Sequence, residues 1–215
     1  YCWGRNTYGQ LGDGTTTDRL VPTPVAGGLA FASISAGRGE NTCGLLASGA
    51  AYCWGVNFNG TIGDGSWRGN HFTPTPVAGG LSFSYIGTTS GHTCGLTTAR
   101  AAYCWGTNYW QELGSNDAYY VDHYTPWPVA GGLTFASLSV GARHTCGVTS
   151  NGVAYCWGYA LYGELGTTSP YYGMPLRVDG GLRFTDVSAG IYVTCGRTIS
   201  GALCCWGGGR GWGTT

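Results

Sequence analysis

The chain has no lysine, a single methionine, and charge on only 9% of its 215 residues, balanced to a net of zero. Its ten basic residues are all arginine. So little charge leaves no basic stripe to neutralise phosphates, and nucleic acid is not an expected partner. No apolar run approaches the roughly 20 residues of a membrane-crossing helix, so no membrane span is expected. No leader peptide is visible, so an exported protein is represented here by its mature form. Apolar spacing at the helical period is missing, which points away from helices. A Gly-x-Ser-x-Gly elbow, a phosphate-binding Gly-Lys loop and a zinc-protease helix are all lacking. The common routes to hydrolase or nucleotide chemistry are therefore closed; no cofactor is expected and the chain reads as a non-enzyme.

The chain does have ten cysteines, 41 glycines, nine tryptophans and fifteen tyrosines. Disulfides persist in oxidising compartments, so this composition places the protein outside the cell, as a secreted chain. The cysteines recur in one phrase, Thr-Cys-Gly followed by Cys-Trp-Gly, with the second cysteine ten positions after the first. The pairs are Cys43 and Cys53, Cys94 and Cys104, Cys146 and Cys156, and Cys195 and Cys205. The Cys-Trp-Gly copies begin at Cys2, Cys53, Cys104, Cys156 and Cys205, so the steps are 51, 51, 52 and 49 residues. A fixed period of this length predicts one repeat-built domain over 1–215. Its repeats are 1–51, 52–102, 103–154 and 155–203, with a terminal strand at 204–215.

Each phrase reads as a β-hairpin. Around Ala47-Ser48-Gly49 the pairs are 46 with 50, 45 with 51, 44 with 52 and 43 with 53, the glycine taking the left-handed position of a three-residue loop. The cysteines then lie directly opposite each other, within reach of a disulfide. Ser150-Asn151-Gly152 and Ile199-Ser200-Gly201 repeat the construction, but Arg100 replaces the glycine in the second repeat, where strain or a different loop is expected. Zinc is the rival reading, because His92 and His144 lie two residues before Cys94 and Cys146. The equivalent positions elsewhere are Asn41 and Val193, which do not suit a repeated metal site, so no metal is expected.

Alternation along a strand puts Tyr52 and Trp54 on one face and Cys53 on the other. Tyr103 and Trp105, then Tyr155 and Trp157, follow suit, and these aromatics are expected between adjacent sheets. A repeated Pro-Val-Ala-Gly-Gly-Leu leads into a small alternating stretch suited to an inner strand. Pro22-Thr23-Pro24 and Pro74-Thr75-Pro76 suit edge strands, where a missing donor does little harm. About four strands per repeat result, an all-β class.

The order Tyr-Cys-Trp-Gly, Asn, Gly-Gln-Leu-Gly-Asp-Gly-Thr-Thr-Thr (9–17), Pro-Val, then Ser-Ile-Ser-Ala-Gly resembles the RCC1-type repeat, and the cysteine-bearing form is similar to secreted bacterial members. The resemblance spans essentially the whole chain. It implies an RCC1-like β-propeller, or an open propeller arc, of about four four-stranded blades. The family's familiar ring has about seven blades, whereas four complete repeats are present here. The family's chromatin-associated exchange function is not implied, because the basic character of a chromatin binder is missing.

Eight cysteines pair within hairpins, which leaves Cys2 and Cys204. These two are expected to close a ring within one chain or to join neighbouring chains, unless Cys2 belongs to a longer protein. Binding is expected in the loops after each Cys-Trp-Gly, which vary most between copies; the candidates are Trp67, Trp110, Tyr119, Tyr120, His123, Tyr124, Tyr171 and Tyr172. Asn59 begins a glycosylation sequon. Asp13, Asp18 and Asp64 match no calcium-loop spacing, and Asp117, Asp122 and His123 are a weak acid–base set. The expected function is a secreted, disulfide-stapled repeat scaffold or recognition protein that assembles head to tail into a filament. The alternative is a protein inhibitor, or a carbohydrate- or protein-binding module, that uses aromatic loops on one face. Expected partners are other copies of the chain or an extracellular protein or glycan.

Overall fold

A computed structural model describes residues 1–37, 40–117, 120–169 and 173–208. Seventeen strands are found among them, in five antiparallel sheets, together with one short 3-10 turn at Ala26–Gly28. The first sheet pairs β1 (Cys2–Gly4) with β2 (Arg19–Thr23). The second runs β3 (Phe31–Ala36), β4 (Asn41–Leu46), β5 (Ala51–Gly55), β6 (His71–Pro76). The third runs β7 (Phe83–Thr88), β8 (His92–Thr97), β9 (Ala102–Gly106), β10 (His123–Pro128). The fourth is β11 (Phe135–Val140), β12 (His144–Thr149), β13 (Ala154–Gly158), β14 (Leu176–Arg177). The last is β15 (Phe184–Ala189), β16 (Val193–Thr198), β17 (Leu203–Gly207).

The sheets are propeller blades. The first strands of successive sheets touch (β3 with β7, β7 with β11, β11 with β15), which marks the inner edge. Pro22, Pro74, Pro76, Pro126 and Pro128 fall on the outermost strands, where no ladder donor is lost. Sequence period and sheet are out of phase: the stretch 52–102 holds the two outer strands of one blade and the two inner strands of the next.

The hairpin register is kept in every copy, with Cys43 opposite Cys53 and Leu45 opposite Ala51 in the first. Each of the four cysteine pairs is bonded, with Cα atoms 4.0–4.1 Å apart. Of the two outcomes expected at Arg100, the strained one is found. Its loop is not remodelled; Cys94 still faces Cys104 and Leu96 still faces Ala102. Arg100 instead takes the left-handed backbone itself, with φ +64°, where Gly49 and Gly152 have +85° and +82°. Its guanidinium donates to the carbonyl of Ala136 at 3.3 Å.

Alternation decides the packing between blades. The tryptophan of a blade faces backward and its disulfide faces forward, so Cys43–Cys53 packs with Trp105, Cys94–Cys104 with Trp157, and Cys146–Cys156 with Trp206. Trp54, Trp105 and Trp157 are fully buried. Register also explains the threonine. Thr42 lies opposite Trp54, and both donate to the carbonyl of Gln10 in the preceding blade, at 2.9 and 3.0 Å. Thr93 and Trp105 converge likewise on Thr61, and Thr194 and Trp206 on Glu164. Gly12, Gly63, Gly114 and Gly166 have positive φ and lie against these indoles, where a Cβ would approach to 2.5–2.7 Å.

Candidate functional site

Strands that alternate in direction send two sets of loops to the same end of the blades. One links the first and second strands of the last four sheets (37–40, 89–91, 141–143, 190–192); the longer one links β1 to β2 and the third to the fourth strand of the three four-stranded sheets (5–18, 56–70, 107–122, 159–175). The long loops are held by buried asparagines. Asn6, Asn57 and Asn108 accept the backbone N–H of Leu11, Ile62 and Leu113 at 3.0–3.2 Å.

One further device orients what these loops display. The Gln10 side chain accepts the N–H of Tyr8 at 3.0 Å, Glu112 that of Trp110 at 2.6 Å, and Glu164 that of Tyr162 at 2.8 Å. An aromatic side chain stands at the capped position each time. In the second repeat the pair is Asn59 and Thr61, and the Thr61 hydroxyl donates to the Val56 carbonyl instead. Glu112 is only 3% exposed, and burial pushes its carboxyl up to about 8. Hydrogen bonds from its own N–H and from Trp110 act against that rise, Asp122 adds to it, and Arg143 opposes it. Burial also raises Glu164, whose Oε1 has no partner among the described residues.

The third, fourth and fifth blades thereby display a continuous aromatic run. Ring centroids are 4.8 Å apart for Tyr120–Tyr109, 4.5 Å for Tyr109–Trp110, 4.8 Å for Trp110–Tyr159, 6.0 Å for Tyr159–Tyr162 and 5.5 Å for Tyr162–Tyr192. The Arg143 guanidinium lies over it, 5.8 Å from the Trp110 ring and 5.7 Å from that of Tyr159. Phe58, Ser90, Thr107, Tyr109, Trp110 and Arg143 line a cleft of ≈ 350 Å³ at its edge, with Glu112 at its wall. Neighbouring Tyr109, Tyr120, Tyr162 and Tyr192 are exposed on a frame locked by disulfides. Rigid, amphipathic rings of this kind lose little entropy on binding.

Of the residues singled out in the sequence, Trp110 and Tyr120 belong to this run. Trp67 is exposed on the loop before β6, beneath Arg68 at 4.1 Å. His123 and Tyr124 sit on the outer strand β10: His123 pairs with Asp117 at 2.7 Å and stacks on Trp127 at 4.3 Å, and Tyr124 packs against Gly60. Tyr119, Tyr171 and Tyr172 lie outside the described residues. Sequence reading missed Tyr109, Arg143, Tyr159, Tyr162 and Tyr192. Their signal was positional, since all lie within six residues after a Cys-Trp-Gly cysteine or three before a Thr-Cys-Gly cysteine.

The remaining candidates serve the frame. His92 bonds through Nε2 to the Thr145 hydroxyl at 2.9 Å, and His144 to that of Thr194 at 2.8 Å, tying each blade to the next. Burial, joined by the charge of His144, lowers His92 to about 3, and burial lowers His144 to about 4. Among the described residues no three His, Cys, Asp or Glu side chains gather as metal ligands. Asp13 accepts from Asn6, Thr15 and Arg19, Asp18 caps the Asn6 N–H, and Asp64 accepts from Ser66. Asp122 caps the Asn108 N–H. Burial works to raise Asp117, but hydrogen bonds from His123 and Ser115 and the His123 charge bring it below the usual carboxylate value. Asn59 has φ +49°, and the Thr61 of its sequon is buried. Cys2 and Cys204 are both unbonded among the described residues, so of the alternatives for this pair the bond within one chain is not made in this structure. No helix among the described residues is long and apolar enough to cross a membrane.

Comparison with known proteins adds context. Two family models described as the Regulator of chromosome condensation (RCC1) repeat match, one over residues 1–43 and the other over 31–61 and 135–164. The Ultraviolet-B receptor UVR8 of Arabidopsis thaliana is 35% identical over 170 residues, covering 76% of this chain and 38% of the receptor. In structure, Prp20p of Saccharomyces cerevisiae, studied for its binding to Gsp1p and histones, superposes with TM-score 0.78 at 23% identity, over 96% of this chain and 52% of that one. The ectodomain of the Physcomitrella patens receptor kinase CR4 superposes with TM-score 0.58 at 25% identity, over 87% of this chain and 41% of that one. The chain thus spans about half or less of each of these three proteins.

Proposed function

Because this chain is built of RCC1-type repeats, we propose that it acts as a secreted, non-enzymatic recognition module that binds an extracellular protein. The face formed by Tyr109, Trp110, Tyr159, Tyr162 and Tyr192 is the binding surface. The observation that carries this reading is the aromatic run itself: its loops are clamped from below by capped turns, yet most of its rings stay exposed. Four disulfides favour an oxidising compartment. The carboxylates and histidines that could have suggested catalysis are engaged in holding loops and blades. The relatives lend support by analogy, since Prp20p was studied for protein binding and CR4 contributes an ectodomain.

The test is selection of binders from displayed polypeptide segments on the oxidised chain. Binders that weaken at least about tenfold on Trp110→Ala or Tyr162→Ala, and not on Phe72→Ala at the outer rim, support the reading. Binders indifferent to all the loop variants would sink it.

A second reading has its own observation. Trp3 is 60% exposed although its counterpart Trp54 is fully buried, and Leu203 is exposed at the opposite end although its counterpart Ala51 is buried. Head-to-tail contact between copies would cover both. Sedimentation should then show oligomers that disperse on Trp3→Ala; a monomer at all concentrations rules this out.

A further inference from the structure

Two of the blade junctions stack an arginine on an aromatic ring, and they differ in one respect. At the first, Arg5 lies 5.9 Å from the Tyr8 ring and pairs with Glu40 at 3.4 Å. Glu40 stands three residues before Cys43, and Arg5 three residues after Cys2. At the junction of the third and fourth blades, the position of Glu40 is taken by Arg143, three before Cys146, and the position of Arg5 by Thr107, three after Cys104. The charge has changed sides, and its counter-ion has been lost. Arg143 is held over Trp110 and Tyr159 but has no ion pair among the described residues. Thr107, shorter than an arginine, leaves open the cleft that Arg143 lines, and its hydroxyl has no hydrogen-bond partner among the described residues.

We propose that Arg143 and Thr107 form an anchor site for an aspartate or glutamate side chain of a partner protein, with Phe58, Tyr109 and Trp110 receiving an apolar residue beside it. The inference rests on the recognition reading above and specifies its ligand. Charge complementarity selects the occupant: a planar guanidinium pre-positioned by stacking presents a fork that matches a carboxylate. The one carboxyl among the described residues that line the cleft, Glu112, is held largely protonated at neutral pH by burial and leaves the guanidinium uncompensated. The walls are aromatic, so the site favours an acid set among apolar residues over a run of acids, and a single cation is too few for a sulfated or phosphorylated chain.

The experiment is selection from a random dodecapeptide display library on the oxidised protein, followed by affinity measurement on the winning peptides. Folding of every variant is checked by circular dichroism. The wild type should enrich an Asp or Glu next to an aromatic or aliphatic residue. Arg143→Ala should weaken the winners by roughly 10–100-fold, and Arg143→Glu should turn selection toward Lys and Arg. Thr107→Glu supplies the carboxylate internally, in mirror of the Arg5–Glu40 pair, and should block the winners while leaving the fold intact. Arg68→Ala, on an arginine stacked outside the cleft, should change nothing. Winners without an acid, or winners that Trp110→Ala abolishes and Arg143→Ala leaves untouched, overturn the anchor and leave the recognition face standing. Tighter binding of a sulfated glycan than of any peptide also overturns it. No enrichment on any variant overturns both.

Discussion

Replacing Glu112 by glutamine should stabilise the protein, and the gain should grow with pH. Burial raises this carboxyl from an ordinary 4.5 to about 8. Between those values the unfolded chain has released the proton while the folded chain still holds it, so folding stability falls as pH rises. At about 1.36 kcal/mol per pH unit, the loss reaches roughly 3 kcal/mol at pH 7 and roughly 5 kcal/mol above pH 8. Below 4.5 both states are protonated and nothing is lost. Glutamine carries no charge to bury, and the first repeat shows that it fits, since Gln10 accepts the Tyr8 N–H just as Glu112 accepts that of Trp110. Guanidinium unfolding of both proteins from pH 4 to 9 gives the measurement. The curves should meet near pH 4 and separate by roughly 3 kcal/mol at pH 7, which in a heat scan of a chain this size is roughly 6–12 °C. Parallel curves, with no pH-dependent gap, would show that the carboxyl ionises freely in the fold and refute the reasoning.

The histidines act in the opposite direction. His92 and His144 are lowered to about 3 and about 4 from 6.5, so the unfolded chain takes up protons first and stability falls as pH drops below 6.5. At pH 5 the cost is about 2 kcal/mol for each, and His92→Asn, with the residue of the first repeat, should remove its share of the acid slope in the same titration. Arg100→Gly should stabilise by about 0.5–1 kcal/mol, because glycine adopts positive φ without strain; a destabilised variant would mean that the bond to the Ala136 carbonyl outweighs the backbone. Removing Cys94 and Cys104 together should cost about 3 kcal/mol on the loop-entropy estimate, read as an earlier unfolding midpoint; an unchanged midpoint would show that the pair adds nothing to stability.

Much of the frame was legible because its causes are local. A ten-residue spacing around a glycine loop allows one hairpin register, and strand alternation then sends Trp54 and Cys53 to opposite faces. What could not be read was where those faces go. The convergence of Thr42 and Trp54 on one carbonyl of the preceding blade joins residues 32 and 44 positions apart, and no local pattern announces it. His92 shows the same limit. Its place two residues before a cysteine raised a ligand reading that the other repeats argued against, and nothing local named its partner, Thr145, which lies 53 residues on. Arg100 shows a different one: propensity gave the strain correctly, but the cross-strand ladder and disulfide on either side keep the register and force the residue into the glycine conformation.

The binding face was legible only in part, for a reason that bears on how such repeats acquire function. Variation between copies pointed to the tips of the long loops, and so to Trp67 and His123, yet the aromatic run is built nearer the blades, at positions that look repetitive. Tyr8, Asn59, Trp110 and Tyr162 share one place in the repeat, as do Glu40, Gly91, Arg143 and Tyr192. Each substitution seems minor within its own repeat. Adjacent junctions combine one residue from each set, however, so Trp110 meets Arg143 while Tyr162 meets Tyr192. A fixed hydrogen-bonded frame permits this, because the capped turn presents whatever side chain occupies the site. The chemistry of the face therefore belongs to pairs of positions about 33 residues apart, and a change at either member of a pair is enough to alter what the face accepts.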